Sequence, residues 1–313
     1  MDINSPSYYL LILISSFLTI NLYQRLFLKN KIHDEINDRS SHVVMATRSG
    51  GVSIFSVVFL ISSYSYIIQN EIYDFSLIIP LFLLMVVGLY DDIYKLDFKL
   101  KFIFQIIAAK IIIDNGLIIN NLHGVLGVFE INRIIAQILT IFIIVSIINA
   151  INFIDGIDGL ANSIVVLFLI AIEFFSYNQS PFFNLTTITI LSIIPLFYYN
   201  FRKKKKVFLG DSGSLFFGGL VSIYVVYSLT NSYVIKPEFD IHKILFILSI
   251  MIYPIVDLIR VFVIRILNNK SPFIADKKHL HHIILKYTKS HWKSTSLIVL
   301  FSILNLILIQ LIF

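Results

Sequence analysis

Four short polar islands interrupt an otherwise apolar chain: Asp91-Asp92 with Asp97, Asp155 with Asp158, Asp211, and His279 with His281 and His282. Acids at the edge of a bilayer are costly, so collecting them there needs a reason. Adjacent carboxylates at a helix end can hold Mg2+ or take a proton from an attacking group. For Asp91-Asp92 the plainer reading is a pair of solvated acids balanced by Lys95. Asn152-Phe-Ile-Asp155-Gly156-Ile-Asp158-Gly159 reads as a tight polar bend between two apolar helices, with Asp158 suited to cap the second. A plain turn has no need of Asn152.

Gly210-Asp211-Ser212-Gly213-Ser214 opens a helix directly after Arg202 and Lys203 to Lys206. A Gly/Ser loop in that position offers backbone N–H groups to a phosphate. Asp211 adds a hard oxygen suited to Mg2+. The Lys run can draw in a polyphosphate or anchor the chain by its charge, and the anchor is the better reading. His279-Leu280-His281-His282 has the density of a zinc site, but the chain holds no cysteine and the acidic islands favour Mg2+. Imidazoles also donate to phosphate oxygens or to a sugar. In the first basic loop, Arg39, His42 and Arg48-Ser49-Gly50-Gly51 place bases and small residues before a helix, which suits an anionic group.

The elements that must position these islands are membrane helices. Of 313 residues, 57% are apolar and 14% charged, against about 45–50% and roughly 25% in soluble domains. The apolar residues fall into runs of about the length that crosses hydrocarbon. The fold class is therefore all-α and polytopic, one integral membrane domain over 1–313, with about ten helices at 8–28, 51–69, 76–90, 100–114, 134–153, 160–177, 183–200, 213–231, 243–264 and 294–312. The first run is expected to be retained and not cleaved as a signal peptide. Between the fourth and fifth helices, Asn115-Gly116 and His123-Gly124 punctuate two short apolar runs and predict a small hairpin on the periplasmic side.

Basic residues collect in alternate connections: Arg25 to Arg48, Lys95 to Lys101, Arg202 to Lys206 and Arg260 to Lys293. The other side carries Arg133, Lys236 and Lys243, while Lys110, inside the fourth helix, reads as a snorkelling side chain. Basic loops face the cytoplasm, so both termini are expected outside and all four islands inside. The net charge of +6 is then mostly membrane topology, and nucleic acid is not an expected partner. Asp257 and Arg260, one turn apart near the inner end of the ninth helix, read as a pair across the turn.

Asp91-Asp92, Asn152-Phe-Ile-Asp155-Gly-Ile-Asp158-Gly, Gly210-Asp211-Ser-Gly-Ser and His279-Leu-His281-His282, in that order, resemble the polyprenyl-phosphate N-acetylhexosamine-1-phosphate transferases of glycosyltransferase family 4. The resemblance runs from about residue 25 to 290. It implies transfer of a sugar 1-phosphate from a UDP-N-acetylhexosamine to undecaprenyl phosphate in the cell inner membrane, with release of UMP. It implies Mg2+ as cofactor, with Mn2+ as a substitute. Asp211 looks like the metal ligand, with Asp155 a second candidate. Asp91 and Asp92 look like the acids near the reacting phosphates. Asn152, Asp155 and Asp158 resemble the nucleotide-side residues, joined by Arg48 and Gly210 as further substrate contacts. His279, His281 and His282 are similar to the element near the sugar and phosphates.

Two departures qualify the likeness. Leu280 interrupts a His run that is continuous in the peptidoglycan translocases, which favours the branch that starts surface polysaccharides such as O-antigen or capsule. Lys277-Lys278 stand where that branch often has Arg, and the two bases bind phosphate differently. The rival readings are the phospho-MurNAc-pentapeptide translocase and a lipid-linked sugar transporter without catalysis. Family analogy points to a homodimer.

Overall fold

The structure is a computed structural model that describes residues 5–33, 46–70, 72–178, 180–230, 233–235, 242–269, 271 and 278–312. Arg39, His42, Lys236, Asp276 and Lys277 lie outside the described residues. The chain divides into two compact units, Met1–Asp97 with Pro181–Phe216, and Phe98–Ser180 with Phe217–Phe313.

The first unit contains α1 (Pro6–Lys29), α2 (Gly50–Ile67), α3 (Ile78–Tyr94), α7 (Phe183–Phe201) and the start of α8 (Gly210–Ser228). Local chemistry sets the ends. Pro6 stands in the first turn of α1, and the Ser5 hydroxyl accepts from the Tyr8 N–H at 3.3 Å. A single 3-10 turn, Phe75–Leu77, leads into α3, with the Asp74 carboxylate accepting from the Ser76 N–H at 3.0 Å. Lys95, at φ 56°, ends α3.

α1 packs on α2 and α7. Polar groups along these apolar helices are turned onto neighbouring backbone, as where the Ser16 hydroxyl donates to the Ser192 carbonyl at 2.6 Å. Two two-residue strands, β1 (Ala46–Thr47) and β4 (Lys206–Val207), pair in parallel. The pairing continues past the strands: the Phe208 N–H donates to the Thr47 carbonyl at 2.8 Å, the Gly50 N–H to the Phe208 carbonyl at 2.9 Å, and the Gly51 N–H to the Leu209 carbonyl at 2.8 Å. The start of α2 is thereby laid along the start of α8. Gln24 of α1 donates to the Lys205 carbonyl at 2.7 Å, which fixes the backbone of the Lys run while the side chains of Lys203, Lys204 and Lys205 stay exposed.

The second unit contains α4 (Phe98–Asp114), α5 (Arg133–Ile154), α6 (Leu160–Phe175), the rest of α8, α9 (His242–Ile250), α10 (Ile252–Leu267), α11 (Leu280–Thr288) and α12 (His291–Ile312). Gln105 of α4 and Asn149 of α5 satisfy each other, the Asn149 amide donating to the Gln105 side-chain carbonyl at 2.7 Å. α8 passes close to α5: a Cβ on Gly218 would lie 2.6 Å from the Ile148 Cα, and Ser222 donates to the Ile144 carbonyl at 3.3 Å. β2 (Asn121–Val125) and β3 (Val128–Glu130) pair antiparallel, where the Asn/Gly punctuation lies. The buried His123 ring fastens β2, its Nε2 meeting the Leu229 carbonyl at 2.8 Å.

This is a multi-pass helical membrane protein. Among the described residues, five helices are long and apolar enough to cross a membrane: α1, α2, α3 with its leading turn, α5 and α12. The α9–α10 pair makes a sixth if its two pieces form one span. Three features differ from the sequence expectation. The ninth run, expected as one helix over 243–264, breaks at Met251 and bends by 73°. The last basic connection contains α11. Lys110 does not simply snorkel: its ammonium is paired with Asp114 one turn on.

Candidate functional site

The acidic islands of the first unit meet at the N-terminus of α8. The Asp92 side chain is fully buried, and its two oxygens accept from the first backbone donors of that helix: Oδ1 from the Asp211 N–H and Oδ2 from the Ser212 N–H, both at 3.0 Å. A carboxylate at a helix N-terminus meets both the unsatisfied N–H groups and the positive end of the helix dipole. Arg48 approaches from the same side, its Nη1 3.7 Å from Asp92 Oδ1. Gly210, at φ 77°, leaves the room this needs, since a Cβ there would fall 2.7 Å from Asp92 Oδ2 and 3.0 Å from the Arg48 Cβ. Gly88 does the same for α3, where a Cβ would lie 2.2 Å from the Asp211 carbonyl oxygen.

Two sequence expectations change here. The N–H groups of Asp211 and Ser212 are already taken by Asp92, so this helix start does not present them to a phosphate. Gly210 acts as a spacer. Asp91 diverges from its neighbour: it is buried, and its Oδ1 accepts from the Leu96 N–H at 2.6 Å, closing the turn after α3. Of Asp91, Asp92 and Asp211, the last, in the first turn of α8 and half-buried, has the most accessible carboxylate, while Asp97 is exposed beyond the end of α3.

The donor set fits a hard divalent cation. Asp92 meets the first turn of α8, where Asp211 also stands, so two hard-oxygen side chains fall within one turn. Among the described residues no three His, Cys, Asp or Glu side chains cluster as a metal site.

The imidazole island and the Asn152–Asp158 bend belong to the second unit. Asn152 and Asp155 are half-buried at the C-terminus of α5. Asp158 is fastened to α12: its N–H donates to His291 Nδ1 at 3.1 Å, its Oδ2 lies 3.5 Å from the same atom, and its carbonyl accepts from Thr295 at 2.9 Å. The N-cap residue of α6 is Gly159, at φ 74°. His279 and His281 are buried, and His282 is the partly exposed imidazole of the three. His279 Nδ1 sits 2.6 Å from Asp257 Oδ2 and its Nε2 3.4 Å from Arg265 Nη2. Arg260 turns away from Asp257 and donates to the Lys278 carbonyl at 2.6 Å.

His281 Nδ1 lies 3.3 Å from the Tyr253 hydroxyl, while its Nε2 has no hydrogen-bond partner and points at Gly156, where a Cβ would lie 2.2 Å away. Burial pushes the His281 pKa well below the ordinary 6.5, with His282 and His279 adding repulsion. The folded ring stays neutral where the unfolded ring takes a proton. Its contribution to stability is complete above about pH 6.5 and declines as pH falls below that value, by at most about 1.4 kcal/mol per pH unit. The thermal midpoint in detergent should fall between pH 7 and pH 5 (about the range where His titrates), and His281→Gln should flatten that fall. An unchanged pH slope in the variant would refute the assignment.

Asp257, Arg265 and His291 went unrecognised as site residues in the sequence. Asp257 carried one signal, a carboxylate inside an apolar run, but its partner lies 22 positions away.

The pattern of glycosyl transferase family 4 matches residues 75–229. A Bacillus subtilis protein described as a probable undecaprenyl-phosphate N-acetylglucosaminyl 1-phosphate transferase is 31% identical over 286 residues, 89% of this chain and 76% of its own length. A Pasteurella multocida undecaprenyl-phosphate alpha-N-acetylglucosaminyl 1-phosphate transferase is 34% identical, over 87% of this chain and 76% of its own length. A Mycolicibacterium smegmatis decaprenyl-phosphate N-acetylglucosaminephosphotransferase is 30% identical, over 84% and 71%. With the sequence match extending well beyond the motifs, the chain belongs to glycosyl transferase family 4.

Proposed function

We propose that this enzyme transfers an N-acetylhexosamine 1-phosphate from a UDP-sugar to undecaprenyl phosphate, giving a lipid diphosphosugar and UMP, and so starts a surface polysaccharide such as O-antigen or capsule. The observation that carries the reading is the burial of Asp92 against the start of α8, which holds Asp211 forward as a second carboxylate. The names of the relatives support the acceptor class and the phosphosugar. The chain crosses the inner membrane ten times, with both termini periplasmic and the reacting groups at the cytoplasmic rim, where acceptor phosphate and soluble nucleotide sugar both arrive.

In the reaction an oxygen of the acceptor phosphate attacks the β-phosphorus of the UDP-sugar. The bond from that phosphorus to the bridging oxygen breaks, and UMP leaves. Asp211, with Asp92 behind it, would hold Mg2+ or Mn2+, whose chemistry when bound is to neutralise phosphate oxygens. Arg48 offsets the charge of Asp92 and offers further donors to phosphate. Asp92 orients the first turn of α8, and with it Asp211. Asp91 shapes the turn after α3. Asn152, Asp155 and Asp158 take the nucleotide side, and His282 the sugar and phosphates.

A donor panel tests the reading. Purified protein with undecaprenyl phosphate should release UMP from a UDP-N-acetylhexosamine and none from UDP-MurNAc-pentapeptide. The reverse preference would move the chain to the peptidoglycan branch. Lipid movement in proteoliposomes without UMP would make it a transporter.

A further inference from the structure

Asp257 stands on α10 with its side chain fully buried. A bare carboxylate in that setting is costly unless its oxygens are satisfied. Both are, by consecutive residues of another segment: Oδ2 meets His279 Nδ1 at 2.6 Å, and Oδ1 accepts from the Leu280 N–H at 2.7 Å. Leu280 is the first residue of α11, and His279, its N-cap, makes no side-chain capping bond of its own. Asp257 therefore caps α11 from outside the helix. One turn along α10, Arg260 holds the Lys278 carbonyl. Three consecutive residues, Lys278, His279 and Leu280, are gripped by one face of α10.

The grip also sets the His279 proton. A carboxylate at Nδ1 makes that nitrogen the donor, so Nε2 of the neutral ring is an acceptor toward Arg265. The ring packs near Phe153, with centroids 5.6 Å apart. His279 is consumed internally, and α11 carries His282 one turn from the clamp.

We infer that Asp257 is a positioning residue: acting through His279 and the Leu280 amide, it fixes the start of α11 and thereby the place from which His282 meets the substrate. This rests on the transfer reading above. Asp257→Asn keeps the size but can accept only one of the two donors. Its expected effect is a loss in kcat of about tenfold to a hundredfold, as for other groups that orient a working side chain, with KM for the UDP-sugar little changed and folded yield retained. In a His279→Ala background the same substitution should cost much less, because residues acting through one contact are not additive. Amide exchange at residues 279–283 should rise in Asp257→Asn whatever the activity.

Wild-type turnover in Asp257→Asn, or additive losses with unchanged exchange, would overturn the inference. If the wild-type protein released no UMP from any donor, the transfer reading would fail, and the exchange measurement alone would decide whether Asp257 clamps α11. A role confined to stability would lower the melting temperature and leave kcat per folded molecule unchanged.

Discussion

Asp211→Asn should reduce UMP release by about a hundredfold to a thousandfold, with folded protein recovered at the wild-type level. Metal-held phosphate charge is a transition-state term, and removing one such interaction typically costs about a hundredfold to a thousandfold. A neutral amide also removes the accessible carboxylate of that helix start, so binding of the cation should fall together with the rate. The fold should tolerate the change because the bonds fixing α8 here use the Asp211 N–H and the oxygens of Asp92, none of which the substitution alters. Turnover per folded molecule within tenfold of wild type would remove Asp211 from the reaction (a tenfold change is about 1.4 kcal/mol).

Gly51→Ala should prevent the first unit from forming a stable fold. A Cβ at residue 51 would lie 2.0 Å from the Gly213 nitrogen and 2.2 Å from its Cα. Both are backbone atoms, inside a region already fixed by the parallel bonds from Thr47 to Leu209. Overpacking that side chains can absorb costs about 1–3 kcal/mol. Here the helices themselves must separate, which also pulls Gly50 and Gly51 from their carbonyl partners. The expected result is a severe loss of detergent-stable protein, together with loss of the Asp92 and Asp211 arrangement in whatever remains. Normal yield and melting temperature would show that α2 and α8 do not approach as closely as their glycines indicate.

The candidate site residues stand out in the sequence because each sits where chemistry and packing disagree. Asp92 and Asp211 end or begin apolar runs in which a carboxylate has no packing role, and Gly88, Gly210 and Gly213 stand beside them. How the acids divide their work was not legible. Asp91 and Asp92 are adjacent and identical in type, yet successive residues on a helix point about 100° apart. One therefore closes its own turn while the other caps a helix 119 positions away. β1 and β4 escaped notice because two residues show no periodicity. The break at Met251 was hidden because Ile247, Ile250, Met251 and Tyr253 continue one apolar run through the bend. α11 is nine residues long, too short for its pattern to stand out from a basic loop, and its cap comes from Asp257 on a different helix.

The most direct measurement is Mn2+ binding followed by electron paramagnetic resonance, with UMP present, on wild-type protein and Asp211→Asn. Wild-type protein should hold one Mn2+ per chain that Mg2+ displaces, and the variant should hold none at the same concentrations. Equal Mn2+ binding by the two proteins would contradict the assignment of the metal to the start of α8.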